Sequence, residues 1–517
     1  MPFEPPVGSK SNATDEAETF RRLQMGLTEQ FRRIFPDDSA TRTILIVPSL
    51  TLDQEVIAKI SGVTHYEERM LCLLLLLRMP RTKVVYVTSE PIPDTIVDYY
   101  LHLLPGVPHE HARRRLTLLS CHDGSAQPLT AKILMRPRLI ARIRQAITDT
   151  KTAHMTCFNV SGLERRLAVE LGVPIYGCDP ALEHFGSKSG SREVFREAGL
   201  LIPDGFENLA DKTEVAEALA ALKKRNPGLR RAVVKLNEGF SGEGNAIFPF
   251  IDAPNGAGLK PWIESRLPNL AFEAQDMTWE AYSAKLVEMG GIVETFIEGD
   301  HKQSPSTQYR VDPLGRLETI STHDQVTGGN SGQIFLGCRF PADQNYRLEI
   351  QDEGLKAAEV LCRRGVLGRF GIDFISVFED QRWHHYALEI NLRKGGTTHP
   401  FLMLQFLTDG TYDPATGLYY TRSGLPRHYY ASDNLESPLY AGLTPDDLIE
   451  IAVENGLHFH GATQQGVVFH LIGALSEFGK IGVMCVAGSG EEAEQLYKKT
   501  ISVLDREGRQ NRKDQEL

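Results

Sequence analysis

The sequence predicts a protein of mixed α/β and α+β type, with a parallel sheet near the N-terminus, a mostly antiparallel middle and a small C-terminal α/β domain. Three observations support this fold class. Short apolar runs alternate with helical stretches over residues 41–180, strands pair as hairpins over 181–410, and two strands lie between helices over 411–517. A chain of 517 residues also exceeds what one core usually organises, so several domains are expected.

The first segment, 1–40, is predicted to be a tail followed by one helix. Residues 1–14 are rich in Pro, Ser and Gly, a composition typical of disorder. Residues 15–35 repeat apolar side chains at helical spacing: Phe20, Leu23, Leu27, Phe31 and Ile34.

Residues 41–180 have the pattern of βαβ units around a parallel sheet. Four apolar or β-branched runs are predicted strands: 43–50, 83–89, 116–120 and 153–160. Helical stretches such as 129–149 and 161–171 separate them, as parallel strands require. The run MLCLLLLL (70–77) is too short to cross a bilayer and is predicted to be a buried helix. No G-x-G-x-x-G follows the first strand, so nothing marks a dinucleotide site.

Residues 181–410 favour antiparallel pairing. Helices are predicted at 191–200 and 211–225, and strands on both sides of a Gly-rich turn within 231–250. Further strands are predicted at 291–299, in a hairpin over 307–322 that turns at Asp312 to Gly315, and in a second hairpin over 370–392. The polar, Gly-rich stretch 323–343 is predicted to be a loop between strands.

The tail, 411–517, is predicted to be a small α/β domain. Thr444 is the expected N-cap of a helix, strands follow at 465–473 and 480–488, and a helix is predicted over 489–508. Residues 509–517 are charged and predicted to be frayed. His460 and His470 are interpreted as packed or surface histidines rather than bases.

Composition excludes several classes of function. The net charge of −11 argues against general affinity for nucleic acid or an anionic membrane. Seven scattered Cys without C-x-x-C spacing disfavour a disulfide framework or a zinc site and favour a reducing compartment. The N-terminus lacks the apolar run of a secretory signal, so a cytoplasmic location without membrane association is expected.

A row of polar side chains stands at the end of the second hairpin, in YALEINLRKGG. Glu389, Asn391 and Arg393 alternate with aliphatic residues and therefore share one face of a strand. Asp373 lies on the preceding strand, and a turn near 379–381 would bring it opposite Glu389. Carboxylate and amide oxygens are ligands that Mg²⁺ prefers, and an Arg beside them suits a phosphoryl group or a carboxylate. An exposed polar face is the alternative interpretation, with about even odds on general grounds.

Three further signals are weak when each is taken alone. Lys235 ends a β-branched run and precedes a turn whose glycines allow a phosphate to approach the backbone: Gly239, Gly242 and Gly244, with Ser241 between them. Lys188 lies at the start of a helix, and Glu294 ends an apolar strand. The ordinary interpretation of the turn after Lys235 is a loose hairpin. Lys188 would then be a solvated surface residue, and Glu294 would simply lie at the edge of a strand.

Together, the order and spacing of these residues resemble the ATP-grasp superfamily over about 181–400. The resemblance implies two small α+β subdomains that hold Mg-ATP between them. It implies that Lys188 and Lys235 contact the phosphates, that the turn 239–244 closes over them, and that Asp373, Glu389 and Asn391 hold Mg²⁺, with Mn²⁺ as a substitute. Arg393 corresponds to the Arg that many members place against the acyl-phosphate or its precursor.

The same resemblance assigns the adenine site to the hinge Glu294–Thr295–Phe296–Ile297, with the backbone of Thr295 and Ile297 as donor and acceptor. Many members hold the ribose with an acid beyond the hinge. Asp300 and His301 occupy that region here, and the two remain alternatives.

The wider layout looks like the pheganomycin-type peptide ligases, with a Rossmann-like pre-ATP-grasp domain at 41–180, the ATP-grasp core at 181–410 and a C-terminal domain at 411–517 that completes the substrate site. This resemblance implies an ATP-dependent ligase that activates a carboxylate as an acyl-phosphate and couples it to the amine of an amino acid or peptide. Arg339, in the stretch 323–343, is a candidate counter-ion for the carboxylate, with a surface loop as the equal alternative.

Two rivals remain at this point. A small-molecule kinase of the same fold would phosphorylate a hydroxyl, and a nucleotide-binding scaffold would hold ATP without turnover. Asp373, Glu389 and Asn391 together argue against the scaffold, because a dead site has no need for two carboxylates beside a triphosphate. The expected partners are a small-molecule carboxylate and amine, with a homodimer as the family habit.

Overall fold

The computed structural model describes residues 10–51, 60–239, 244–274, 277–328 and 334–515. The first described element is helix α1, Lys10–Ile34, and the N-terminal sheet follows it. This sheet consists of β1 (Arg42–Val47), β2 (Thr82–Thr88), β3 (Leu116–Ser120) and β4 (Ala153–Cys157). Its order is β3-β2-β1-β4 and all pairs are parallel, as the four apolar runs predicted.

Helices cover both faces of the N-terminal sheet. Their bounds are α2 Asp94–His102, α3 His109–Arg113, α4 Leu129–Leu134, α5 Pro137–Ile147 and α6 Gly162–Leu171. The predicted stretch 129–149 is therefore two helices, because Pro137 has no N–H to continue the first and instead begins the second. Ser161 caps α6 and Glu164 reaches back to the Ser161 N–H, a complete capping box.

The buried apolar run belongs to a 3₁₀ helix, Val63–Arg78, rather than an α-helix. Leu71, Leu74, Leu75 and Leu77 have no measurable exposure. They join one core with strands β1 and β2 and with residues of the C-terminal third, such as Phe401 and Val468. This 3₁₀ helix therefore packs between the N-terminal sheet and the last part of the chain.

A five-stranded antiparallel sheet follows, in the order β5-β9-β6-β7-β8. Its strands are β5 (Gly205–Leu209), β6 (Arg231–Leu236), β7 (Asn245–Pro249), β8 (Ala271–Phe272) and β9 (Gly291–Thr295). Its helices are α7 (Lys188–Ala198), α8 (Lys212–Arg225), α9 (Leu259–Arg266) and α10 (Trp279–Met289). Ala232, Val234 and Leu236 pack against α8 to α10, while Val233 and Lys235 point to the opposite face.

The largest sheet has nine strands, and all its pairs are antiparallel. The middle of the chain contributes β10 (Lys302–Gln303), β11 (Pro305–Val311), β12 (Leu317–Gly328), β13 (Ile334–Phe340), β14 (Gly368–Glu379) and β15 (Arg382–Asn391). Helix α11 (Arg347–Arg363) and α7 cover one face of this part. Helix α12 (Thr398–Thr408) follows the last of these strands.

The C-terminal third completes the same sheet. A small ribbon, β16 (Thr411–Asp413) and β17 (Leu418–Tyr420), precedes β18 (His428–Glu436), β19 (Gly466–His470) and β20 (Lys480–Ala487). Strand β18 pairs with β13, so the sheet runs across the boundary predicted at residue 410. Helices α13 (Pro445–Glu454), α14 (Leu475–Phe478) and α15 (Gly490–Gln515) accompany these strands, and Thr444 caps α13 as predicted.

Three local predictions were wrong. Helix α1 begins at Lys10, within the stretch 1–14 predicted to be disordered, and α15 continues to Gln515, beyond the predicted fraying point. The predicted loop 323–343 is mostly strand, because polar side chains on β12 face a polar cavity instead of solvent. None of the described helices combines the length and apolar content needed to cross a bilayer.

Candidate active site between the two antiparallel sheets

A cavity of about 760 Å³ lies between the five-stranded and nine-stranded sheets. Its walls come from three parts of the chain: strands of both sheets, residues near the N-terminal sheet, and strands β18 and β20. The predicted site residues that line it are Lys235, Glu294, Thr295, Phe296, Ile297, Asp373, Glu389, Asn391 and Arg393. Residues far apart in sequence therefore meet in one space.

The second hairpin fixes the polar row. Asp373 on β14 pairs in register with Glu389 on β15, and Gly371 pairs with Asn391, as the turn predicted near 379–381 requires. Ile372 and Ile390 point to the opposite face and are buried in the core beneath α7 and α11. Because side chains alternate between the two faces of each strand, this one strand pair places two carboxylates and an amide together on the cavity wall.

Hydrogen bonds hold Asp373 in place. Asn391 Nδ2 donates to Asp373 Oδ2 at 2.8 Å, and Gln325 Nε2 donates to Asp373 Oδ1 at 2.8 Å. Burial and the nearby Glu389 carboxylate raise the pKa of Asp373 to about 7. Gln325 comes from β12, inside the stretch predicted to be a loop, and its contribution was not predicted.

Glu389 has the opposite electrostatic environment. Burial opposes its ionisation, but an ion pair with the Lys188 ammonium outweighs that effect and lowers the pKa of Glu389. Lys188 stands at the start of α7, next to the N-cap Ser187. The Lys188 N–H donates to the Asn237 carbonyl, and Ser191 Oγ accepts from the Ile390 N–H, so α7 is attached to both sheets.

The other predicted phosphate lysine is also paired with a carboxylate. Lys235 Nζ lies 2.5 Å from Glu294 Oε1, and Arg192 Nη1 lies 3.1 Å from Glu294 Oε2. All three side chains are buried. Glu294 therefore pairs with Lys235, which lines the cavity, and with Arg192, which lies behind it and was not predicted from the sequence.

The hinge lies against this end of the cavity. Phe296 is flanked by the Arg231 guanidinium, 4.0 Å from the ring centre, and by Lys302 Nζ at 4.6 Å. The Thr295 N–H donates to the Asp204 carbonyl, and the Ile297 carbonyl accepts from Lys302 Nζ at 3.3 Å. The Thr295 N–H therefore has a protein partner, whereas the Ile297 carbonyl keeps a second lone pair, and the assignment of this hinge to adenine stays a prediction.

Other predicted residues lie elsewhere. His301 is exposed and does not line the cavity, although its carbonyl accepts from the Phe378 N–H. Arg339 points away from the cavity and pairs with Glu494 at 3.3 Å, because its neighbours Cys338 and Phe340 fill the core face of β13. Gly239 and Gly244 lie next to each other at the base of the turn, while Ser241 and Gly242 fall outside the described residues.

The end of the cavity opposite the hinge was not predicted. The 3₁₀ helix contributes Tyr66 and Arg69, and the C-terminal strands contribute Asp433 and Lys480. Behind Asp433, His399 and His470 bring their ligand atoms within 4.8 Å of one another and of its carboxylate, a buried group of the kind that can hold a metal ion. No spacing motif could reveal this set, because its members come from distant parts of the chain.

Comparison with known proteins agrees with this geometry. The family description "IQCH-like, ATP-grasp" matches residues 180–255 and 258–415. The chain is 31% identical over 491 residues to L-propargylglycine–L-glutamate ligase of Streptantibioticus cattleyicolor, covering 93% of this chain and 97% of that protein. The chain belongs to the ATP-grasp family. The description "PGM1 C-terminal domain" matches residues 447–500.

Two further proteins resemble this chain over most of its length. IQ motif-containing protein H of Danio rerio is 22% identical over 454 residues, which is 78% of this chain and 42% of that protein. The biotin carboxylase–β,γ-ATP complex of Campylobacter jejuni superposes with a TM-score of 0.52 at 13% identity, covering 87% of this chain and 89% of that chain. The predicted fold class, the resemblance to pheganomycin-type ligases and the predicted type of enzyme, an ATP-dependent carboxylate–amine ligase, are confirmed.

Proposed function

We propose that this ATP-grasp enzyme couples the carboxylate of one amino acid to the amine of a second amino acid or a peptide, and releases ADP and phosphate. The observation that carries the proposal is the cavity wall, where Asp373, Glu389 and Asn391 stand together with Arg393 between two sheets. The relative of 31% identity is named for joining two amino acids, which supports amino acids as the substrate class.

The donor set fits a hard divalent cation, for which we propose Mg²⁺, with Mn²⁺ as a substitute. Two carboxylates and one amide oxygen supply ligands of the type that Mg²⁺ prefers and leave positions for phosphate oxygens. Burial and, after it, the neighbouring Glu389 carboxylate raise the pKa of Asp373, and a bound cation would favour the ionised form of both acids. When bound, the ion supplies positive charge that offsets the charge of the phosphates.

The lysines and Arg393 would bind and orient the reacting groups. Lys235 brings an ammonium group from β6 and Lys188 brings one from the start of α7, and each is paired with a carboxylate that lines the cavity, Glu294 and Glu389. Arg393 is positioned to hold the carboxylate against the γ-phosphate, since it follows the polar row directly and lines the same wall. Such catalysis depends on positioning and electrostatics, and it needs no nucleophilic side chain.

The chemistry proceeds in two steps. A carboxylate oxygen bonds to the γ-phosphorus while the bond to the β,γ-bridging oxygen breaks, giving an acyl-phosphate and ADP. The amine nitrogen then bonds to the acyl carbon, phosphate leaves with the former carboxylate oxygen, and the amine proton passes to solvent. The predicted domain boundaries, the cytoplasmic location and the homodimer stay predictions.

The experiment is a panel of acid and amine pairs, beginning with L-glutamate and L-amino acids, scored by ADP and phosphate release. Mass spectrometry identifies the product, and hydroxylamine added without an amine traps an acyl-phosphate as a hydroxamate. We expect full turnover to need both substrates and hydroxamate to form with the acid alone. A stable phosphoester formed from a single hydroxyl substrate would replace this proposal with the kinase alternative.

A further inference from the structure

Arg69 is a buried arginine at the end of the cavity opposite the hinge. It lies in the 3₁₀ helix Val63–Arg78, is 4% exposed and lines the cavity. Its guanidinium lies between two aromatic rings, 4.4 Å from the centre of Tyr66 and 4.5 Å from that of Phe158. This packing fixes the plane of the guanidinium and leaves only its edges for hydrogen bonds.

One edge of that guanidinium has no protein acceptor. Nη1 donates to Asp433 Oδ2 at 3.3 Å, whereas Nε and Nη2 are buried without a partner among the described residues. Nε and Nη2 form the side of the guanidinium that receives both oxygens of one carboxylate. Buried donors are rarely left unsatisfied, so this edge points to a ligand.

Asp433 cannot turn to satisfy that edge, because its other oxygen is already bound. Asp433 Oδ1 accepts from His470 Nε2 at 2.8 Å, and His399 Nε2 lies 3.0 Å from the same His470 nitrogen. All three side chains are buried. The pair of histidines therefore holds Asp433, and Asp433 holds Arg69.

The surrounding charges favour an anion. Lys480 is 3% exposed, lines the cavity and donates from Nζ to the Tyr66 hydroxyl at 3.2 Å. Arg393 lines the adjoining wall, and Asp433 and Glu436 are the acids at this end. Three cationic groups thus face two carboxylates, one of which is committed to Arg69 and the histidines.

We propose that the Nε–Nη2 edge of Arg69, supported by Lys480, binds a substrate carboxylate that does not react. This inference rests on the proposed ligase function and names its substrate class more closely. At least one substrate keeps a free carboxylate, as an α-amino acid or a peptide with a free C-terminus does. A simple amine paired with a monocarboxylic acid would therefore be a poor pair of substrates, since neither keeps a carboxylate for Arg69.

The test compares each substrate with its carboxamide. Wild-type kcat/KM is measured for L-glutamate and for its monoamide that keeps the reacting carboxylate (isoglutamine if the product is a γ-amide, glutamine if it is an α-amide), and for the L-amino acid partner and its amide. We expect one of the two amides to lose about 10²-fold, the range for a lost charge-assisted hydrogen bond pair. The substrate whose amide fails is the one that Arg69 holds.

The Arg69→Met variant should lower kcat/KM for that acid by about 10²-fold and leave the amide nearly unchanged, while the KM for ATP stays the same. Arg69→Lys should restore part of the loss. Arg42 offers a matched control because it resembles Arg69 in three ways. It is also 4% exposed, its guanidinium lies 5.7 Å from the centre of the Phe35 ring, and its Nε has no partner among the described residues. Arg42 does not line the cavity, however. Arg42→Met should keep the full preference for acid over amide.

A binding measurement without ATP keeps this inference separate from the proposed reaction. The preferred acid should raise the melting temperature of the wild type but not that of Arg69→Met, and its amide should have no effect on either. Should Arg69→Met fail to fold, Lys480→Met serves the same comparison. Unchanged discrimination in the folded variant, or equal use of acid and amide by the wild type for both substrates, would overturn the inference.

Discussion

Asp373 and Glu389 are neighbours with opposite electrostatic environments. Glu389 is held as a carboxylate by Lys188, whereas Asp373, which has only neutral hydrogen-bond donors, has its pKa raised to about 7. Two adjacent carboxyl groups whose pKa values are pushed apart are typical of catalytic sites. A cation between them would let both ionise, which is why we interpret the pair as ligands of one site.

Removal of either carboxylate should stop turnover. We expect Asp373→Asn and Glu389→Gln to lower ADP release by at least about 10²-fold, because charge aimed at the phosphates is lost. Asp324→Asn is the control, since Asp324 lies on the same sheet but accepts from Tyr346 and the Asp343 N–H and does not line the cavity. ADP release at the wild-type rate in both site variants would remove them from the mechanism.

Arg393 and Arg339 make a matched pair of arginines. Arg393→Ala should abolish ADP release while the far-ultraviolet circular dichroism stays unchanged, because its guanidinium lines the reacting wall. Arg339→Ala should behave like the wild type, since that side chain is half exposed and pairs with Glu494. A strong loss in Arg339→Ala with normal activity in Arg393→Ala would reverse the assignment.

Residue-level prediction succeeded where spacing along one strand carries the information. Asp373, Glu389 and Asn391 belong to one hairpin, so alternation was enough to place them together, and Arg393 lies on the same cavity wall although the strand ends at Asn391. Arg69, Gln325 and Lys480 come from separate elements, and no period in the sequence brings them to the cavity. Arg339 and His301 were misplaced because the direction of a side chain in a polar stretch depends on strand pairing that the sequence does not show.

At the scale of the element, hairpin β14–β15 sets the register of the site. Its two-residue turn, Asp380–Gln381, has positive φ angles of 51° and 64°, the geometry of a tight hairpin turn. A slip of one residue would send Glu389 and Asn391 to the core face. The turn therefore maintains the strand register that places Asp373, Glu389 and Asn391 on the cavity wall.

Gln381→Gly should stabilise the protein by about 0.5–1 kcal/mol, since glycine adopts positive φ without strain and the register is unchanged. Gln381→Val should destabilise it, because a β-branched residue is strained there. The melting temperature measures both, and activity should be unaltered in Gln381→Gly. A lower melting temperature in Gln381→Gly would contradict the role given to this turn.

Element-level prediction followed the apolar period closely. The four parallel strands, the hairpin turn at Asp312 to Gly315 and the cap at Thr444 were placed correctly. The second half of β12, residues 323–328, and strand β13 were missed because Gln325 and Thr327 face a polar cavity, so the usual contrast between apolar and polar faces is absent. Strand pairing to β18, far along the chain, also carries no local signal.

At the scale of the whole molecule, the last third of the chain shares a sheet and a core with the first two thirds. Strand β18 pairs with β13, and Phe340 stacks on Tyr429 at 5.0 Å. Lys394, just after the polar row, donates to the Thr156 hydroxyl at 3.1 Å and so joins the site to the N-terminal sheet. The cavity therefore depends on all three parts being present.

A chain truncated after residue 410 should not fold into a stable protein. Its β13 would lose β18, one of its two partner strands, and the core around the 3₁₀ helix would be exposed to water. We expect loss of the cooperative thermal transition and strong binding of a hydrophobic dye. A chain ending at residue 512 is the control and should melt like the full protein. A sharp thermal transition in the chain that ends at residue 410 would show that the C-terminal third is dispensable for folding.

The central claim is that Asp373, Glu389 and Asn391 gather divalent ions around the terminal phosphates of ATP. A crystal structure with Mn²⁺ and a non-hydrolysable ATP analogue tests it most directly, because manganese is located by its anomalous signal. The account predicts manganese peaks within about 2.0–2.6 Å of oxygens of these three residues, with the γ-phosphate beside them. Manganese and triphosphate bound away from Asn391, with Asp373 still hydrogen-bonded only to Gln325 and Asn391, would contradict it.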